Sequence, residues 1–425
     1  VLQPERKNLA GFATGPGGPF DRTRKMDSSV HTELAKKLLY AENFLITFSV
    51  GLFLTLPIHL QQQGRTEIVF GQIFAVGAVG ALTCVVALHW LLRRFGLRRM
   101  APAGSLVFCL GSGLYAVAAH RYADVDALLY AASLLQGAGW GLFLPIGPIC
   151  ISSMVEARER PRFFAFYGAF NTLGIGLAPI FSSIAMAHLN LTFGALYGLA
   201  CLTSFAGFLL SWLVARGNES YATVSREVSV DGNRNAIFRV FALPCVYFFG
   251  MMMLCGCIYT SMTNFQISFA QANRIDHKVF FVFFTASIIL ARFSLGTLVS
   301  RFPPERTVPA LGGVMLAAML LLYGAALSVA FYAASAILFG LSYGLIVPMI
   351  QAQATAQAPD AMRSQVLVTV SMSYLLARYL FPYLGALVIQ PFGYDGLLFL
   401  LVLCAAAVAA LAGYFFHRRT LAFAV

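Results

Sequence analysis

Two arginines, Arg292 and Arg378, stand inside long apolar stretches of this chain. A charge at the middle of a membrane-depth helix costs on the order of 2.5–3.5 kcal/mol, so such a residue is a functional candidate by default. The guanidinium is a planar fork that grips carboxylate or phosphate through two parallel hydrogen bonds. Ser371, Tyr374 and Arg378 follow the spacing i, i+3, i+7 and share one helix face. The competing reading is an arginine hydrogen-bonded to carbonyl oxygens for packing. The 17 acids fall in connectors or near helix ends, with Glu42 expected at the start of the first helix and Glu67 at the start of the second. With no carboxylate expected at the depth of the arginines, an anionic ligand fits them better than a cation does.

Other polar side chains fall at similar depth. Trp140 and Tyr343 offer a flat ring with one N–H or O–H, suited to stacking on a ligand while bonding to it, or simply to packing beside their neighbouring glycines. Asn171, Gln136, Tyr259 and Asn264 are further candidates. His59 and His120 read as interfacial anchors, and His89 as a solvated helix-end residue. The eight cysteines (84, 109, 150, 201, 245, 255, 257, 404) lie in apolar runs with no metal-type spacing, and are expected to be buried free thiols. No metal or cofactor is expected. There is no P-loop, no H-E-x-x-H and no G-x-S-x-G elbow in a strand–turn–helix setting.

The elements that must hold these residues are transmembrane helices. Hydrophobic residues make up 59% of the 425, charged residues only 11%, and mean hydropathy is +0.77. About twelve runs reach the roughly 20 residues that span a bilayer, and in lipid such runs must be helices. The expected spans are 41–60, 67–91, 101–119, 125–152, 163–187, 192–215, 238–269, 279–300, 307–328, 330–356, 364–390 and 396–416. The expected organisation is a disordered cytoplasmic extension over 1–37, with 1–25 read as lying upstream of a start at Met26. Six-helix bundles follow over 38–216 and 236–417, joined by a cytoplasmic linker over 217–235, and 418–425 is a cytoplasmic tail. With the N-terminus cytoplasmic, 23 of the 29 Lys and Arg fall on inside segments and 4 on outside connectors. This positive-inside bias places both termini in the cytoplasm, in a cell membrane of bacterial inner-membrane type. The net charge of +12 thus reflects topology rather than nucleic acid binding.

The halves repeat. The segment after the second run, 91–103, matches 298–310 at an offset of 207, pairing Arg94 with Arg301 and Pro102 with Pro309. Gly137-Ala-Gly-Trp-Gly-Leu-Phe-Leu-Pro145 matches Gly340-Leu-Ser-Tyr-Gly-Leu-Ile-Val-Pro348 at an offset of 203, which also pairs Pro179 with Pro382. Six runs separate the copies, so they share membrane orientation and imply a parallel pseudo-twofold repeat.

With these features the chain resembles the major facilitator superfamily over roughly residues 38–417. The family motif G-x-x-x-D-R-x-G-R-R appears as His89-Trp-Leu-Leu-Arg93-Arg94-Phe95-Gly96-Leu97-Arg98, keeping Arg94, Gly96 and Arg98. The second copy keeps Gly296 and Arg301, with Ser300 in place of the acid. The R-x-x-Q-G motif reads Ser133-Leu-Leu-Gln136-Gly137, without its arginine. The Gly-x-x-(Trp/Tyr)-Gly-Leu-x-x-Pro pattern is weakly similar to bacterial efflux permeases.

The resemblance implies an all-α membrane fold and a secondary transporter, not an enzyme. Its two bundles would rock by alternating access around a midplane site, driven by proton or other ion gradients. Gating would fall on Arg94, Gly96, Arg98, Gly296 and Arg301. Substrate contact would fall on Arg378, Tyr374, Trp140, Tyr343, Asn171 and Arg292, though a basic residue at the Arg292 position is also read as part of the gate. The expected activity is export of a small organic anion, such as a carboxylate metabolite or metallophore, by a monomer. Uptake of such an anion, multidrug or sugar efflux, and a membrane-embedded enzyme or sensor remain the alternatives.

Overall fold

The computed structural model describes residues 19–120, 126–155, 160–217, 221, 245–295, 301–359 and 363–422. Among these residues all regular structure is helical. Helix α1 (Pro19–Leu52) passes through a 3-10 turn (Phe53–Thr55) into the short α2 (Leu56–Gln62), and together they make the first span. Pro57 sits in the first turn of α2, where its missing N–H deprives no helical carbonyl of a partner. Helices α3 (Glu67–Phe95), α4 (Leu97–Ala119), α5 (Asp126–Met154), α6 (Arg160–His188) and α7 (Phe193–Gly217) complete the first six spans. The second half begins in the same way, with α8 (Val246–Asn264) followed by a short α9 (Gln266–Ala272). Then come α10 (His277–Leu290) with a π turn (Ala291–Leu295), α11 (Pro304–Tyr323), α12 (Val329–Ala356) and α13 (Arg363–Ala422). Among the described residues eleven helical stretches are long and apolar enough to cross a membrane, and the last, Thr369–His417, is long enough for two. It breaks at Gly393 (φ 65, ψ −166), a conformation only glycine adopts cheaply, so α13 carries the eleventh and twelfth spans.

One expectation is corrected. Residues 19–37, read from sequence as part of a disordered extension, are helical and continuous with the first span. Leu34, Ala35, Lys36 and Lys37 are good helix formers, and Glu33 pairs with Lys36 one turn on. Gly296 and the linker residues 218–220 and 222–235 lie outside the described residues.

Helix–helix contact rests on small residues that let backbones approach closely. A β-carbon at Gly137 of α5 would meet the backbone of Gly77 of α3, 2.9 Å from its Cα. One at Gly340 of α12 would sit 2.7 Å from the Phe284 carbonyl oxygen of α10. One turn on, Gly141 lies against Ala81 and Gly344 against Ile288. The offsets of 203 and 207 found in the sequence are thus the offsets between corresponding contacts: Gly137 with Gly77 and Gly340 with Phe284, then Gly141 with Ala81 and Gly344 with Ile288.

The halves meet along two helix pairs, α3 with α13 and α6 with α10. At the end of the bundle remote from the termini, the Tyr394 hydroxyl donates to Glu67 at 2.6 Å, and Ser183 pairs with His277 at 2.7 Å. Phe70 meets Phe265 edge-on, with ring centroids 5.6 Å apart. Deeper in, a β-carbon at Gly71 would meet the Tyr383 backbone, and Phe74 lies by Tyr379.

Gly340→Val is therefore expected to lower stability by about 1–3 kcal/mol, because the added volume drives α12 off the α10 backbone. Gly313→Ala, where a β-carbon would meet nothing within 4 Å, should be neutral or stabilising by up to ~1 kcal/mol from helix propensity. Thermal unfolding of the purified variants checks both.

Candidate functional site

A small cavity of about 50 Å³ lies between the two halves. A water needs roughly 10–15 Å³ by this measure, so the space admits only a few waters in this conformation. Its walls come from α1, α3, α4, α5 and α6 on one side and from α8 and α13 on the other, with Gln136, Trp140, Tyr259, Asn264, Arg378 and Tyr379 among them.

Arg378 is the cation of this cavity. Its guanidinium carbon sits 4.8 Å from the Trp140 ring centroid and 6.0 Å from that of Tyr259. Trp140 belongs to the first half and Tyr259 to the second, so the charge is held between the two. A desolvated cation over an indole face is stabilised by about 2 kcal/mol, which offsets much of the insertion cost. The Tyr374 hydroxyl oxygen is a hydrogen-bond partner for it, and Tyr259 and Tyr379 stand close by. The helix bearing Arg378 is fixed locally, because Thr260 donates to the Arg378 carbonyl at 2.9 Å and Asn264 donates to Thr260 at 2.9 Å. Gly256 lets α8 approach α13 at Tyr374 and Ala377.

Behind the cavity wall stands a tyrosine cluster. The Tyr343 hydroxyl donates to the Tyr374 hydroxyl at 2.9 Å. Tyr343 stacks on Tyr259 with centroids 4.6 Å apart, and Tyr374 lies 6.3 Å from Tyr259. Arg292 lies on the other flank, within electrostatic reach of Tyr343, Tyr259 and Tyr374. Its guanidinium crosses to the first half, donating to Thr172 Oγ1 at 3.3 Å and filling the notch left by Gly168. Among the described residues no carboxylate comes within ion-pair distance of either arginine. The Trp140 indole N–H is buried and without a hydrogen-bond partner among them.

Several residues stand elsewhere than the sequence suggested. Of the six substrate-contact candidates, Arg378 and Trp140 line the cavity, whereas Tyr374, Tyr343 and Arg292 form the layer behind it. Asn171 instead donates to Asn43 at 3.4 Å, and Asn43 donates to the Tyr167 carbonyl at 2.6 Å, all within the first half. Glu42 is not at a helix end. Helix α1 continues on both sides of Glu42, which is 4% exposed and accepts from Ser105 at 3.0 Å. It is enclosed by α4 and α7 of its own half, with Ser211 as a second hydrogen-bond partner, and does not line the cavity. Arg94 and Arg301 are exposed, and exposed Arg98 donates to the Arg216 carbonyl at 3.0 Å, stapling α4 to α7. Gly96, at φ 76, makes the α3–α4 turn that presents these arginines. Gly296 has no described position. Sequence reasoning passed over Tyr115, Thr263 and Tyr379 on the cavity wall. Only Tyr379 carried a signal, as the neighbour of Arg378.

The family model for the Major Facilitator Superfamily matches residues 39–327 and 240–422. The chain belongs to the major facilitator superfamily. It is accordingly a multi-pass membrane transporter and not an enzyme. Among solved structures it is similar to a D-xylose–proton symporter, with TM-score 0.69, 14% identity and 89% of this chain and 96% of that one covered. It is also similar to a POT family transporter solved with 5-aminolevulinic acid, with TM-score 0.69, 15% identity and coverage of 90% and 96%. A third, the POT family transporter PepTSo, gives TM-score 0.67 at 13% identity, with coverage of 91% and 98%. At these identities the likeness concerns the fold alone. Comparison with curated proteins finds no match.

Tyr374 accepts from Tyr343 and also faces Arg378, so its oxygen satisfies two buried groups at once. Tyr374→Phe is expected to lower stability by about 1–3 kcal/mol by stranding both, and Tyr343→Phe by less. Thermal unfolding of the two variants side by side measures the difference.

Proposed function

We propose that the protein moves a small organic anion across the membrane by alternating access, with Arg378 as the group that binds it. One observation carries this reading: a half-buried guanidinium lies between the two halves with aromatic faces and hydroxyls around it and no carboxylate partner among the described residues. A ligand carboxylate would form the bidentate pair that this layer lacks, and the unpartnered Trp140 N–H offers it another donor. Glu42, enclosed in the first half away from the cavity, leaves the charge of the cavity itself positive.

The positive-inside bias supports cytoplasmic termini. The Glu67–Tyr394 and Ser183–His277 contacts then close the outer side. Opening would separate α3 from α13 and α6 from α10 there, as the six-helix halves rock about a parallel pseudo-twofold axis. The direction we favour is export, on the likeness of the paired Gly137–Pro145 and Gly340–Pro348 segments to efflux permeases. Uptake is the second reading, favoured by one similar structure being named a proton symporter. In either direction Glu42, a buried carboxyl hydrogen-bonded to Ser105, is the group on which proton coupling would fall.

The test is flux of radiolabelled small carboxylates into or out of proteoliposomes, with imposed proton gradients of either sign. Arg378→Ala is expected to abolish transport at normal expression. Arg378→Lys keeps the charge but loses the fork, and should restore only part of it. If Arg378→Ala transports like the parent, the anion site lies elsewhere.

A further inference from the structure

Arg292 and Arg378 occupy one layer of the membrane. Counted from the end of the bundle remote from the termini, Arg292 lies about 15 residues along α10 from His277, and Arg378 about 15 residues along α13 from the break at Gly393. Each is thus roughly 22 Å from its helix end. Trp140 and Tyr343 stand about 14 residues, roughly 21 Å, from the remote ends of α5 and α12. Both arginines belong to the second half, on opposite flanks of it, since α13 packs on α3 and α10 packs on α6. Two tyrosine hydroxyls, Tyr259 and Tyr374, are electrostatic neighbours of both guanidiniums.

Neither charge has a strong partner. Arg378 rests on an aromatic face. Arg292 rests on a neutral hydroxyl at 3.3 Å, longer than the roughly 2.7–2.9 Å of a charge-assisted pair with a carboxylate. The Thr172 hydroxyl is itself committed to the Gly168 carbonyl at 3.0 Å, so it can only accept from Arg292. Arg292 also lies in the π turn Ala291–Leu295, an irregularity that re-aims side chains and recurs at functional sites. Two like charges around one tyrosine layer repel each other. A single carboxylate relieves one and leaves the other.

We infer that the ligand carries two separated anionic groups, one for each of Arg292 and Arg378, so that the substrate class is a short dicarboxylate rather than a monocarboxylate. The inference rests on the anion reading of this site and narrows it. Both guanidiniums now lean on the first half, Arg378 on Trp140 and Arg292 on Thr172. A dianion held by the second half alone would draw both off those contacts, linking occupancy to release of one half from the other.

The test is titration calorimetry on the full-length protein with straight-chain dicarboxylates of two to six carbons, the monocarboxylates of equal length, and inorganic phosphate. The best dicarboxylate is expected to bind at least about tenfold tighter than its monocarboxylate. Arg292→Gln should erase that preference by lowering dicarboxylate affinity far more than monocarboxylate affinity, and Arg292→Lys should keep part of it. Equal affinity for the two series, or equal losses for both in Arg292→Gln, would overturn the inference while leaving the anion reading intact. Phosphate binding tighter than every dicarboxylate would overturn the two separated groups in favour of one compact dianion. If no anion of any kind binds, the anion reading itself fails.

Discussion

A guanidinium half-buried inside a membrane-spanning bundle must find negative potential within a few ångströms, and the centre of this protein is arranged around that need. Among the described residues no carboxylate pairs with Arg378; it has the Trp140 face, the Tyr259 ring and the Tyr374 hydroxyl. The aromatic layer is therefore an electrostatic element as much as a packing one. Aromatic rings offer a diffuse attraction, weaker than an ion pair. They hold the charge without cancelling it, and an arriving anion still has something to gain.

That arrangement requires rigid, closely spaced helices. Gly256 brings α8 against α13, and Thr260 pins the Arg378 carbonyl. Gly137 and Gly340 set the spacing of α5 and α12 against α3 and α10, which carries Trp140 and Tyr343 to matching depths. The halves differ where chemistry is concentrated: both mid-membrane arginines lie in the second half, and the enclosed carboxyl of Glu42 lies in the first. One half presents cations to the interface while the other presents Trp140, Thr172 and Gly168. The two faces meet here through a cation–π contact and one hydrogen bond to a neutral hydroxyl.

Much of the fold was legible because its determinants are local. Run length fixes a span, and the repeat offsets recovered from sequence reappear as glycine contacts one turn apart in each half. Arg378 and Trp140 were legible as candidates because a charge and an indole at mid-helix have few inert explanations. Their stacking was not, since it joins helices of different halves and depends on how those halves dock. Glu42 was misjudged because its enclosure depends on helices distant in sequence: Ser105 of α4 and Ser211 of α7 close over it, which its place near the start of an apolar run does not reveal. Asn171 shows the limit of depth alone: it lies in a spanning helix but faces Asn43 inside its own bundle. Tyr115 and Tyr379 resembled ordinary core aromatics, because cavity lining is a property of facing helices rather than of either sequence segment.

The central claim is that the charge on Arg378 is held open for an anion. The most direct measurement is a thermal-shift panel on the purified protein, with anionic, neutral and cationic solutes of matched size, repeated on Arg378→Ala. A ligand that binds only the folded state raises the melting temperature in proportion to its occupancy. The account predicts stabilisation by organic anions alone, lost in Arg378→Ala. Stabilisation by neutral or cationic solutes with no response to anions, or an anion response unchanged in Arg378→Ala, would contradict it.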